Sequence, residues 1–89
     1  MHAVVVRVTV NDPERAESEL RERTVPNVSQ APGFVAGYWT REGNGNGGLS
    51  MVIFDSEDAA RKMADRVPQG VPEAVTLESV EVREVVANV

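Results

Sequence analysis

The stretch HAVVVRVTV, residues 2–10, decides the fold. Val4, Val6, Val8 and Val10 point one way along it while Ala3, Val5, Arg7 and Thr9 point the other, the period-two pattern of a β-strand. Apolar side chains occur in both sets, so neither face of its sheet is composed for water alone. Asn11 and Asp12 then precede Pro13, an arrangement that caps a helix and fills its first position with a residue needing no hydrogen-bonded N–H. Ala16, Leu20, Thr24 and Val28 recur every four residues on the inner side of this helix, and Glu17 with Arg21 and Glu19 with Arg23 supply ion pairs on the wet side. Pro26 predicts a kink or restart, because its ring clashes with an earlier carbonyl.

Ala31, Pro32 and Gly33 form a turn into a second strand, Phe34 to Arg41. The glycine-rich run from Glu42 to Gly48 leads into a third strand, Leu49 to Phe54, and so reads as a hairpin connection; a phosphate cradle would have to open onto a helix N-terminus. Asp55 or Ser56 caps a second helix, with Ala59, Ala60, Met63, Ala64 and Val67 at three-and-four spacing. A loop from Pro68 to Pro72 precedes a last strand, Val75 to Val86. The order is βαββαβ, an α+β ferredoxin-like arrangement of a four-stranded antiparallel sheet with two helices on one face, spanning residues 1–89 as one domain.

A domain of 89 residues buries a modest share of its surface and needs a further source of stability. Without cysteine, and with His2 the only histidine, neither disulfides nor a zinc cluster can supply it, which leaves oligomerisation. No metal and no cofactor is expected. The net charge of -5 and pI of about 4.8 would repel a phosphate backbone, so nucleic acid is not an expected partner. No apolar run reaches the roughly 20 residues of a membrane helix, and a cytoplasmic location without membrane contact is expected.

Two helices cover one face of such a sheet. Val5, Val52, Phe54, Val85 and either Tyr38 or Trp39 are expected on the other, where burying each contributes about 1.5–3 kcal/mol. A homodimer packed face to face would hide them. Arg7, Thr9 and Ser50 on the same face would suit a partly hollow chamber holding water or a polar ligand.

The kinked run Val25, Pro26, Asn27, Val28 leading to Gln30, Ala31, Pro32, Gly33, Phe34, the passage Phe54, Asp55, Ser56, Glu57, and the terminal Val80, Glu81, Val82, Arg83, Glu84, Val85, Val86 together resemble the dimeric α/β-barrel superfamily, in particular its antibiotic-biosynthesis-monooxygenase-like group. The resemblance implies a ferredoxin-like protomer, a homodimer forming a dimeric α/β barrel, and a range of activities that includes cofactor-independent monooxygenases and heme-degrading enzymes. The heme degraders use a histidine on the second helix, an asparagine on strand one and a tryptophan ending strand three. Here that helix and strand lack those residues, and Phe54 ends strand three.

The residues expected to line a ligand chamber are Arg7, Tyr38, Trp39, Arg41, Ser50, Phe54 and Arg83. Trp39 could stack on an aromatic ring, and Tyr38 could donate a hydrogen bond to an oxyanion. Adjacent strand residues face opposite ways, so at most one of the two faces the chamber. Arg7 and Arg83 need a carboxylate such as Glu81 or Glu78, or else an anionic ligand. His2 reads as a frayed surface residue, and Asp12, Asp55 and Asp58 as helix-start residues. No His, Asp or Cys constellation names a catalytic set. Two functions fit: a cofactor-independent monooxygenase acting on an aromatic phenol or quinol, for which a small aromatic ligand is the expected partner, and a non-catalytic dimer that binds a small molecule or a protein.

Overall fold

The computed structural model describes all 89 residues. Strand β1 (His2–Val10) is followed by helix α1 (Pro13–Glu19), a π-helical segment (Leu20–Thr24) and helix α2 (Val25–Ser29). Strands β2 (Phe34–Arg41) and β3 (Gly47–Phe54) form the hairpin, helix α3 (Glu57–Arg66) runs into a 3₁₀ turn (Val67–Gln69), and β4 (Val75–Glu84) closes the sheet. The strand order is β2-β3-β1-β4, with every neighbouring pair antiparallel. The βαββαβ order read from the sequence is therefore the observed one. β3 begins two residues earlier than Leu49, and β4 ends at Glu84 rather than Val86.

Local chemistry sets the helix ends. Asp12 Oδ1 accepts from the Arg15 N–H at 3.2 Å, and Ser56, not Asp55, caps α3 by accepting from the Ala59 N–H at 3.2 Å. The kink expected at Pro26 takes the form of a widened turn. The Val25 N–H donates to the Leu20 carbonyl five residues back, and the wider turn encloses Glu22, whose carbonyl the Pro26 ring would strike in an unbroken α-helix. Of the two expected ion pairs, Glu17–Arg21 forms at 2.7 Å; Glu19 pairs with Arg15 instead of Arg23.

Register overturns part of the face assignment. Val4 lies between Val52 and Val82, Val6 between Ser50 and Val80, and His2 opposite Phe54. Directly opposed residues share a face, so Ser50, Val52 and Phe54 belong with the even-numbered residues of β1, under the helices. The open face carries Ala3, Val5, Arg7 and Thr9 of β1, Leu49, Met51 and Ile53 of β3, Ala36 and Tyr38 of β2, and Glu81 and Arg83 of β4. Val5 is already buried by its neighbours within the protomer, and Val85 lies past the end of β4. The apolar load expected of Val5, Val52, Phe54 and Val85 thus falls on Leu49, Met51, Ile53 and Tyr38. β2 and β4 each carry one extra residue, Val35 and Glu78, where the register shifts. In β4 the shift lets Val75 and Leu77 share the helix side with Val80 and Val82, although their numbering parity differs.

The core is in two parts. Val4, Val52, Phe54 and Ala60 form one cluster beneath α3, and Val10, Ala16 and Ala74 form another beneath α1. Val6 and Val8, mid-strand between them, are only half-buried.

Candidate functional site: a groove beside the widened helix

A groove of about 520 Å³ runs between the first helical layer and the loop before β4, lined by Arg15, Glu19, Arg23, Thr24 and Asn27 on one side and Gly70 to Glu73 on the other. The first wall depends on the π-helical segment. Residues four apart in an α-helix drift by about 40° per step, so Arg15, Glu19, Arg23 and Asn27 would spiral away from one another over three steps. The i→i+5 turn takes up more residues and offsets that drift, keeping both this polar row and the adjacent Ala16, Leu20, Thr24, Val28 row in line.

The second wall is stitched to the first. The Ala74 carbonyl accepts from the Asn11 N–H at 2.8 Å and the Asp12 N–H at 3.2 Å, while Ala16 packs on Val10 and Ala74 below. Arg15 bridges the groove, with Nε 3.2 Å from Glu19 Oε1 and Nη2 3.5 Å from Glu73 Oε2. Arg23 has no carboxylate partner, and Thr24 and Asn27 beside it make no side-chain hydrogen bond. The groove therefore offers an uncommitted guanidinium, hydroxyl and amide next to a carboxylate, Glu19, that is only 19% exposed. Such a set can hold an oxyanion at one point and accept a proton at another.

None of the residues expected from the sequence lines this groove. Trp39, Arg41, Ser50 and Phe54 lie on the helix side of the sheet, Arg7, Tyr38 and Arg83 on the open side, so no single chamber within one protomer gathers them. Phe54 is fully buried, edge-on to Phe34 with ring centroids 6.3 Å apart, and is a core residue. Trp39 folds over Gly37, where an added Cβ would stand 2.9 Å from the indole. Arg83 pairs with Glu81 at 2.9 Å, whereas Arg7 is exposed and without an ion-pair partner. Tyr38 is 66% exposed. Arg15, Glu19, Arg23, Thr24, Asn27 and Glu73 were not singled out from the sequence as a site. The available signal was the four-residue spacing of Arg15, Glu19, Arg23 and Asn27 beside the apolar row.

His2 is not frayed. It opens β1, with Nε2 4.0 Å from Glu57 Oε1 and a buried Nδ1 that has no partner. Glu57 belongs chiefly to Arg61, whose hydrogen bond and positive charge hold its carboxyl below the usual carboxylate range. No cluster of three metal-capable side chains occurs, and no helix is long and apolar enough to cross a membrane.

Neither a family model nor a curated protein matches the sequence. Among solved structures, the chain is similar to an arginine-to-serine variant of MhuD with two manganese protoporphyrin IX molecules bound per active site, at 18% identity and a TM-score of 0.69, over 100% of this chain and 98% of that one. It is also similar to the heme-degrader MhuD from Mycobacterium tuberculosis with two hemes bound in its active site, at 22% identity and a TM-score of 0.56, over 97% and 98% of the two chains. At these identities the likeness establishes the fold alone, and the chain is accordingly a ferredoxin-like βαββαβ domain with a four-stranded antiparallel sheet.

Proposed function

We propose that the protein is a cofactor-independent monooxygenase that takes a flat aromatic phenol or quinol into the groove beside the widened helix. The observation that carries this reading is the unpaired Arg23, set with Thr24 and Asn27 opposite the loop from Gly70 to Glu73. A π-helical turn is frequently found at functional sites, and this one holds the polar row in place. The MhuD structures, which bind flat tetrapyrroles on the same fold, support a ligand of planar shape. In the proposed reaction Arg23 and Asn27 stabilise the substrate oxyanion, and Glu19 receives its proton. An anthrone carries its own reducing electrons in a methylene group: with O₂ it yields the quinone and water, and no external reductant enters.

Oxygen uptake over a panel of anthrones and hydroquinones tests the proposal. Wild-type protein should exceed buffer, and Arg23→Ala should lower the rate by on the order of 100-fold, the effect of losing one preorganised oxyanion donor. A wild-type rate equal to that of buffer on every substrate would discard the oxygenase and leave the non-catalytic binding reading. Hemin belongs in the same panel because of the MhuD likeness. His2, the only histidine, does not line the groove, so hemin there would lack a histidine ligand.

The proposal includes a homodimer through the open face, where Tyr38 and Met51 stand exposed at 66% and 42% beside half-buried Leu49 and Ile53. Sedimentation should give a dimer at micromolar concentration, and Met51→Glu, at a position the protomer leaves in water, should give a folded monomer. A wild-type monomer under those conditions would reject the dimer.

A further inference from the structure

We infer that Asn44, in the connection between β2 and β3, is a site of spontaneous, self-directed deamidation, and that the fold protects its near-twin Asn46. The connection contains two Asn-Gly pairs in succession, Asn44-Gly45 and Asn46-Gly47, both with the asparagine exposed. The chemistry needs only water. The backbone nitrogen of the following residue attacks the asparagine side-chain carbonyl carbon, ammonia leaves, and a five-membered succinimide forms. Water then opens the ring to aspartate or to isoaspartate, whose backbone is longer by one methylene. Glycine in the following position leaves the attacking nitrogen unshielded and the chain free to rotate into reach.

The two pairs differ in how they are held. The Asn46 carbonyl accepts from the Val10 N–H at 2.6 Å, the Gly47 carbonyl accepts from the Glu42 N–H at 2.8 Å, and Gly47 is the first residue of β3, opposite Thr9. Both residues of the Asn46-Gly47 pair are therefore fixed to the ladder, and ring closure requires local opening. Asn44 and Gly45 make no backbone hydrogen bond and lie outside both strands. Conversion at Asn44 would take the net charge from -5 to -6 and set a second carboxylate in the turn where Glu42 already folds against Gly45 and Gly47. The extra methylene falls where no cross-strand register has to be kept. The remaining asparagines, Asn11, Asn27 and Asn88, precede Asp12, Val28 and Val89 and serve as internal controls.

The test is incubation of the intact protein in mildly alkaline buffer, followed by peptide mapping with tandem mass spectrometry and enzymatic methylation of isoaspartate. Asn44 should convert about tenfold faster than Asn46, the ratio corresponding to one ladder hydrogen bond. In concentrated urea the two rates should converge, and Gly45→Ala should slow conversion at Asn44 by about tenfold or more. Equal rates at the two asparagines in the folded protein would overturn the inference, as would an unchanged Asn44 in folded protein when the urea sample converts. These readouts do not involve the groove, so they stand apart from the proposed oxygenase activity.

Discussion

Phe54→Ala is expected to remove about 3–5 kcal/mol of folding stability, read as a lower urea midpoint with an unchanged slope. The side chain is completely buried at the end of β3, edge-on to Phe34 and in contact with the cluster of Val4, Val52 and Ala60. Truncation leaves a ring-sized void. The strands beneath and the capped helix above are held by their own hydrogen bonds, so the walls can collapse only in part. Domains have total stabilities of about 5–15 kcal/mol, and a chain of this length belongs toward the low end, so the variant should be largely unfolded at modest denaturant. A loss below about 1 kcal/mol would mean that Phe54 is not the centre of this core.

Gly33→Ala should cost about 2–5 kcal/mol, for two reasons that add. Gly33 has φ +83°, the left-handed region that an L side chain enters only with strain. A Cβ there would also stand 2.5 Å from Asp55 Oδ1 and 2.9 Å from the Ala59 Cβ. Relief is blocked, because the Gly33 carbonyl accepts from the Asp55 N–H at 2.8 Å and ties the turn to the start of α3. Gly70→Ala is the matched control: nothing lies within 4 Å of its added Cβ, and its φ of -122° is open to any residue. Equal denaturation midpoints for the two variants would refute the account of Gly33.

The fold was legible because its signals are local. Asp12-Pro13, Ser56 before the Ala59, Ala60, Met63 spacing, and the turn at Gly33 each mark a boundary that the structure keeps. The assignment of faces was less legible, since each strand alternates by itself while only cross-strand register says which sets join. Val52 and Phe54 could be assigned to the wrong side for that reason alone, as could Ser50. In β4 the inserted Glu78 switches parity in mid-strand, an event that one strand's pattern does not announce. The groove was hidden for a different reason. Arg15, Glu19, Arg23 and Asn27 look like an ordinary wet face while the helix is drawn with 3.6 residues per turn, and become a continuous wall only once the widened turn is known.

The extra residues Val35 and Glu78 sit in the two outermost strands, one at each rim of the sheet. A straight, regular rim offers free N–H and C=O groups as a template on which another copy can add strand to strand. A bulge bends that template and puts its groups out of step, and β4 adds the charges of Glu78, Glu81, Arg83 and Glu84. Ribbon-like growth of many copies is thereby opposed at both edges of the sheet.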